Sequence, residues 1–126
     1  MDPTTLKYTP THEWVHLDGD VATLGISKFA VDQLTDLIVI ELPKIGAKLT
    51  QGKPFGEVES VKAVSDLYAP VTGEVIATND ALTGGPELVN TDPYGAGWML
   101  RIRVADVGEL DDLLDAAAYD ALVAAG

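Results

Sequence analysis

Cysteine is missing from the 126-residue chain, so disulfides, thiolate metal sites and a cysteine nucleophile are all excluded. Basic residues are scarce. Eight lysines and arginines face twenty acids, a formal charge of −12 at neutral pH. Such a surface repels phosphate backbones and anionic headgroups, so neither nucleic acid nor a membrane is expected as a partner. No apolar run approaches the ~20 residues that span a bilayer. The first residues, Met1-Asp2-Pro3-Thr4-Thr5-Leu6-Lys7, lack the apolar core of a signal peptide and the arginines of a transit peptide. A cytoplasmic protein is the expectation. At roughly 150 residues per domain, residues 1–126 form a single domain. A domain of this size buries about two-thirds of its chain surface, so a real core is possible.

What is present reads as short strands. Trp14-Val15-His16-Leu17 and Val21-Ala22-Thr23-Leu24-Gly25-Ile26 flank Asp18-Gly19-Asp20, a strong hairpin signal. Ser27 then caps a short helix through Leu34. Leu37 to Leu42 is β-branched and stops at Pro43. Phe55–Val61, Ser65–Tyr68 and Gly73–Thr78 follow as strands between turn residues. Trp98, Leu100, Ile102 and Val104 alternate with Met99, Arg101 and Arg103, predicting a half-buried strand with its basic face outward. Asp106 and Glu109 look like a capping pair. Leu110, Leu113, Leu114, Ala117, Ala121 and Leu122 would share one helical face packed on the sheet, with Asp115 a candidate break. Leu49–Pro54 echoes Leu82–Pro86, hinting at two similar halves.

Most chemical motifs fail on their context. His12-Glu13-Trp14-Val15-His16 has the H-E-x-x-H spacing of a zinc site, which needs a helix. In the strand expected here the histidines lie about 13 Å apart, at ~3.3 Å per residue. Gly52-Lys53 is followed by proline where a P-loop needs serine or threonine. No Gly-x-Ser-x-Gly elbow occurs. One stretch is unlike a generic surface: Gly56 through Val75, containing Glu59-Ser60-Val61-Lys62-Ala63 and then Ser65-Asp66. Short β segments flank Lys62 and place it at or near a hairpin tip, facing solvent. No lysine follows it in the chain.

That stretch resembles the lipoyl-attachment hairpin of the glycine cleavage H-protein family. The likeness extends through Tyr8–Thr9, His12–Val15, Ala22–Ile26, Val39–Pro43, Pro86–Asn90, Asp92–Gly95 and Gly97–Trp98. Biotin carriers flank their lysine with methionines, which are absent here. Thr11 stands where the family commonly has serine. The resemblance implies a mainly β fold, a flattened barrel or sandwich of two quasi-symmetric sheets with short helices, including a C-terminal helical segment. It implies lipoate in amide linkage on Lys62, with Glu59 and Gly73 recognised by the lipoylating enzyme. It implies docking of the arm at Thr11, Glu13 and Asp66. The protein would then be a monomeric carrier and not an enzyme. Its partners would be glycine decarboxylase, aminomethyltransferase, dihydrolipoyl dehydrogenase and the lipoylating enzyme. A lipoyl or octanoyl relay would share the same lysine, and that alternative stays open. A Schiff-base enzyme would need a desolvated Lys62, which a solvent-facing turn does not offer.

Overall fold

The chain reverses direction at Asp18-Gly19-Asp20. Gly19 has a φ of +65°, a value that costs glycine nothing. This closes the hairpin of β2 (Glu13–Asp18) and β3 (Val21–Ile26), paired in register from Glu13–Ile26 to Asp18–Val21. In the computed structural model, which describes residues 1–125, two antiparallel sheets pack on a shared core. The larger has six strands in the order β1-β2-β3-β9-β8-β5. Its other members are β1 (Lys7–Tyr8), β5 (Lys48–Leu49), β8 (Gly73–Thr78) and β9 (Leu100–Val104). The smaller is β4 (Leu37–Glu41), β6 (Pro54–Ser60) and β7 (Val64–Tyr68), with β6 in the middle. Among the described residues four α-helices complete the fold, α1 (Lys28–Leu34), α2 (Ala81–Gly84), α3 (Glu87–Thr91) and α4 (Ala116–Ala125), with short 3-10 turns at Pro3–Thr5 and Val107–Asp112. The flattened sandwich, its short helices and its C-terminal helical segment are as expected.

Alternation along the strands builds the core. Val58 and Leu67 of the small sheet meet Val15, Leu24, Val75 and Ile102 of the large one, all buried. A second cluster gathers Leu6, Tyr8, Trp14 and Tyr119. Trp14 lies across the hairpin from Gly25, where a Cβ would come within 2.6 Å of the indole. Glycine there makes room for the ring, and the indole N–H donates to the Pro93 carbonyl at 3.1 Å.

Four local expectations need correction. The alternation predicted from Trp98 begins only at Leu100, because Met99 is buried and Trp98 is half-exposed. Asn79 explains the irregular entry: its Nδ2 donates to the carbonyls of Ala96 and Trp98 and holds the chain in a loop. The apolar stripe of the tail is not one helical face. Asp115 breaks it, as the sequence hinted, and caps α4 by accepting from the Ala118 N–H at 2.8 Å. Leu114 before the break pairs with Tyr8 as a β-bridge. Within α4, Ala117, Ala121 and Leu122 are exposed, and the buried residue is Tyr119, stacked on Tyr8 with ring centroids 4.3 Å apart. Glu109 does not reach back to Asp106. It accepts from the Thr72 N–H and hydroxyl at 2.7 and 2.9 Å, tying the tail to the turn before β8. The echoed segments also differ: Leu49–Pro54 is strand and turn, whereas Leu82–Pro86 is the end of helix α2 and the link to α3.

Candidate functional site

The hairpin between β6 and β7 is locked from inside by one hydroxyl. Ser60 is buried, and its Oγ accepts from the backbone N–H of Lys62 at 3.1 Å and of Ala63 at 3.0 Å. Its own N–H donates to the Ala63 carbonyl at 2.8 Å, and the Val61 N–H donates to the Asp36 carbonyl. Serine favours this geometry because its short side chain reaches backbone groups two and three residues on. The turn therefore needs no side chain from Val61, Lys62 or Ala63, and all three are exposed. Lys62 enters none of the three ion pairs found among the described residues. Its side chain is exposed on a tip whose backbone is fixed, and among the described residues no group bonds to its Nζ. A group joined there by an amide fits without displacing anything. The motif named Lys62 from sequence; the role of Ser60 was passed over, although a serine two residues before a turn residue was the signal.

Glu59 is exposed on β6 beside the tip, between its cross-strand partners Val39 and Val64. Gly73 is placed differently. It is buried at the start of β8, in the other sheet. A Cβ there would run into the Arg103 carbonyl of β9. Packing accounts for glycine at this position.

Thr11 and Glu13 come together, and Asp66 stands apart from them. Residues 9–12 form a tight turn into β2. The His12 N–H donates to the Thr9 carbonyl at 3.1 Å, with His12 in the left-handed region at φ +78°. That conformation costs a non-glycine residue roughly 1–2 kcal/mol. Tyr119 holds it, with its hydroxyl 2.7 Å from His12 Nδ1 and 2.7 Å from Ser27 Oγ. The turn aims the hydroxyls of Thr9 and Thr11 at Glu13 Oε1, the former at 2.7 Å. Glu13 Oε2 accepts from the Tyr68 N–H at 3.4 Å, so the carboxyl bridges β2 to β7. Asp66 lies two residues along β7, exposed and paired across the strands with Glu57. Thr11 lines cavities on both sides of this spot. One of about 400 Å³ includes Thr9, Tyr68 and Pro70. The other, about 300 Å³, includes His12, Phe29, Leu34 and Ser65. Glu13 and His16 lie in a strand and His12 just before it, so the helix that a zinc reading of the motif requires is not formed.

Burial pushes the Glu13 carboxyl above its usual range, and the hydrogen bonds from Thr11, Thr9 and the Tyr68 N–H pull it part of the way back. A carboxyl raised on folding stabilises the fold below its unfolded pKa and loses that contribution as pH rises through its folded value. Glu13→Gln does not ionise. Its melting temperature relative to the parent should therefore climb as pH goes from about 4 to neutrality. Thermal melts at several pH values check this, and a difference that stays flat would mean burial does not penalise the charge.

A locked hairpin presenting one exposed lysine, on a small two-sheet scaffold, is what a covalent carrier domain requires. The glycine cleavage H-protein family model matches residues 6–125. A glycine cleavage system H protein of Beutenbergia cavernae is 58% identical over 120 residues, covering 95% of this chain and 94% of its own. One from Phenylobacterium zucineum is 56% identical over 119 residues, covering 94% and 98%. The crystal structure of a glycine cleavage system H protein from Mycobacterium marinum superposes with a TM-score of 0.89. It is 39% identical, covering 98% of this chain and 99% of that one. The chain belongs to the glycine cleavage H-protein family.

Proposed function

We propose that this chain is the lipoyl-bearing shuttle of glycine cleavage, a single-domain carrier and not an enzyme. The observation that carries the reading is Lys62, alone and exposed on a hairpin tip that Ser60 fixes, in a chain of this family. Bound lipoate supplies a redox dithiolane that accepts and gives up the aminomethyl group of glycine; the protein supplies attachment, presentation and shielding. Lys62 Nζ makes the amide. Ser60 keeps the tip backbone in place while the side chain sweeps, so each partner meets a tethered reactant at high effective concentration. Glu59 marks the tip for the lipoylating enzyme. Gly73 contributes by letting β8 and β9 close, and so reaches that enzyme only through the fold.

Thr11 and Glu13 offer a cationic amine a polar seat. Thr11 is exposed at the mouth of both cavities, and Glu13 stands behind it as the carboxylate. Charge-assisted hydrogen bonds of this kind contribute about 1.5–3 kcal/mol. Asp66, two residues from Tyr68 on the same strand, adds negative charge at the rim. The partners are glycine decarboxylase, aminomethyltransferase and dihydrolipoyl dehydrogenase, and the carrier works as a monomer in the cytoplasm. Among the described residues no helix is long and apolar enough to cross a membrane. The charge of −12 steers the carrier toward basic patches on those enzymes.

The test is reconstitution. The lipoylated chain, as sole carrier with glycine decarboxylase, aminomethyltransferase, dihydrolipoyl dehydrogenase, tetrahydrofolate and NAD, should support glycine-dependent release of carbon dioxide and ammonia. A lipoylated chain that leaves this system idle but donates its lipoyl group to another apo-carrier would replace the reading with a relay.

A further inference from the structure

Helix α4 buries one side chain, Tyr119, and its hydroxyl meets two other parts of the fold at once. It lies 2.7 Å from His12 Nδ1, in the turn before β2, and 2.7 Å from Oγ of Ser27, the N-cap of α1. One hydroxyl serves both, donating to one neighbour and accepting from the other. The ring beneath it is held in place. It stacks on Tyr8 at 4.3 Å and meets the His12 ring edge-on at 5.7 Å. Ser27 is buried, and its N–H donates to the His12 carbonyl at 2.9 Å. The turn and the start of α1 are therefore joined twice, once through backbone and once through Tyr119.

Packing does not need the hydroxyl. A phenylalanine would stack on Tyr8 equally well, and Ser27 caps α1 by accepting from the Ala30 N–H without help from Tyr119. What the hydroxyl supports is His12 at φ +78°, a conformation that histidine seldom adopts unaided. That conformation turns the Thr9 and Thr11 hydroxyls onto Glu13. It also sets the His12 ring against Phe29, with centroids 4.8 Å apart. His12 and Phe29 line the cavity of about 300 Å³ that includes Thr11, and they line a second of about 280 Å³ that includes Leu122 and Val123. The two rings are the partition between these cavities. A turn that relaxed would take the aim from Thr11 and a wall from the cavity beside it.

We infer that the Tyr119 hydroxyl is the positioning group of the arm's seat: it clamps the left-handed His12 to the start of α1, and so keeps Thr11 and Glu13 aimed and the cavity beside them closed. The inference rests on the proposed docking of the loaded arm at Thr11 and Glu13. Tyr119 bonds to neither residue and acts through His12, from a helix more than a hundred residues away in sequence. Its contribution is to shielding, because a closed wall keeps water from the seated amine. Water that enters hydrolyses the aminomethyl group to formaldehyde and ammonium and leaves the free dithiol, a step that needs no oxidant.

The experiment has two readouts, and the first needs no lipoate. The Glu13 carboxyl is titrated in the apo chain by NMR of labelled glutamate, in the parent, Tyr119→Phe and Tyr8→Phe, with thermal melts to report that each folds. Losing the aimed hydroxyls removes part of what pulls Glu13 back toward its usual range, so in Tyr119→Phe it should titrate at higher pH than in the parent. Tyr8→Phe loses a hydroxyl from the same aromatic cluster, one that donates to the Pro3 carbonyl at 2.6 Å and not to the turn. Its Glu13 should titrate as in the parent. Adding His12→Gly to Tyr119→Phe should restore the parent midpoint, because glycine enters the left-handed region freely. This rescue is read by titration alone, since the ring it removes is also a cavity wall. The second readout is formaldehyde release from the isolated, lipoylated chain after loading with glycine and glycine decarboxylase. Tyr119→Phe should decay at least about threefold faster than the parent, the scale of one neutral hydrogen bond, and Tyr8→Phe at the parent rate. An unchanged or lowered Glu13 midpoint in Tyr119→Phe, no rescue by His12→Gly, or an equal effect of Tyr8→Phe would overturn the clamp. Equal decay rates in parent and Tyr119→Phe would overturn its role at the seat. A parent that gains no lipoyl mass would instead overturn the proposed function, and the inference with it, whatever the titrations give.

Discussion

Lys62→Arg should abolish lipoylation and every glycine-dependent activity of the chain while leaving its folding untouched. The guanidinium keeps the positive charge, so the surface field and the approach to partners are preserved. It is too weak a nucleophile to accept an acyl group under conditions where an amine does. Lys62 is exposed and forms no ion pair among the described residues, and the turn beneath it is held by Ser60 and backbone groups. An exposed substitution of this kind costs under about 0.5 kcal/mol. The melting temperature should therefore shift by no more than a few degrees. Lipoylation is read by mass, and activity by release of carbon dioxide from glycine in the reconstituted system. Residual activity in a fully folded Lys62→Arg chain would show that attachment occurs elsewhere.

Gly73→Ala should be strongly destabilising, and its damage should be to the fold. Gly73 opposes Val104 in the β8–β9 ladder, and a Cβ at Gly73 meets the Arg103 carbonyl. The obstructing atom is backbone, so no side-chain rotation relieves it. The two strands must part, and the ladder joins β9 to the turn that Glu109 ties through Thr72. Overpacking of this kind costs about 1–3 kcal/mol or more. For a domain of this size that is a drop of roughly 5–15 °C in melting temperature. Lipoylation well below the new melting point should still proceed at close to the parent rate. Gly73 is buried and lies in the other sheet from Lys62, with its open side against the β9 backbone. If the folded variant is not lipoylated, the enzyme reads this region after all, and the assignment of Gly73 to packing is wrong.

The residues most legible in the sequence were those whose local chemistry leaves no choice. Asp18-Gly19 specified its hairpin because glycine alone enters the left-handed region freely. Ser27 specified the start of α1 because its hydroxyl accepts from the Ala30 N–H. Lys62 was legible through the string around it, and the structure shows why such a string is needed: a buried serine must sit two residues ahead to shape the tip. Tertiary contacts decided the rest. The tail read as one amphipathic face, but Leu114 pairs with β1, a partner more than a hundred residues away. Glu109 read as a local cap and proved to be a long-range clamp on Thr72. Thr11 and Glu13 meet in the fold, while Asp66 remains on the rim. The left-handed His12 that brings the first two together depends on Tyr119, in an alanine-rich helix with nothing in its sequence to single that tyrosine out.

The most direct test of the account is where lipoate goes. The apo chain, incubated with lipoate, ATP and a lipoate–protein ligase, should gain the mass of one lipoyl group. Fragmentation should place that group on Lys62 alone. Amide formation removes one positive charge, taking the formal charge from −12 to −13, so the product should run faster toward the anode on a native gel. A chain that gains no lipoyl mass, or carries it on Lys44, Lys48 or Lys53 instead, would contradict the account at its centre.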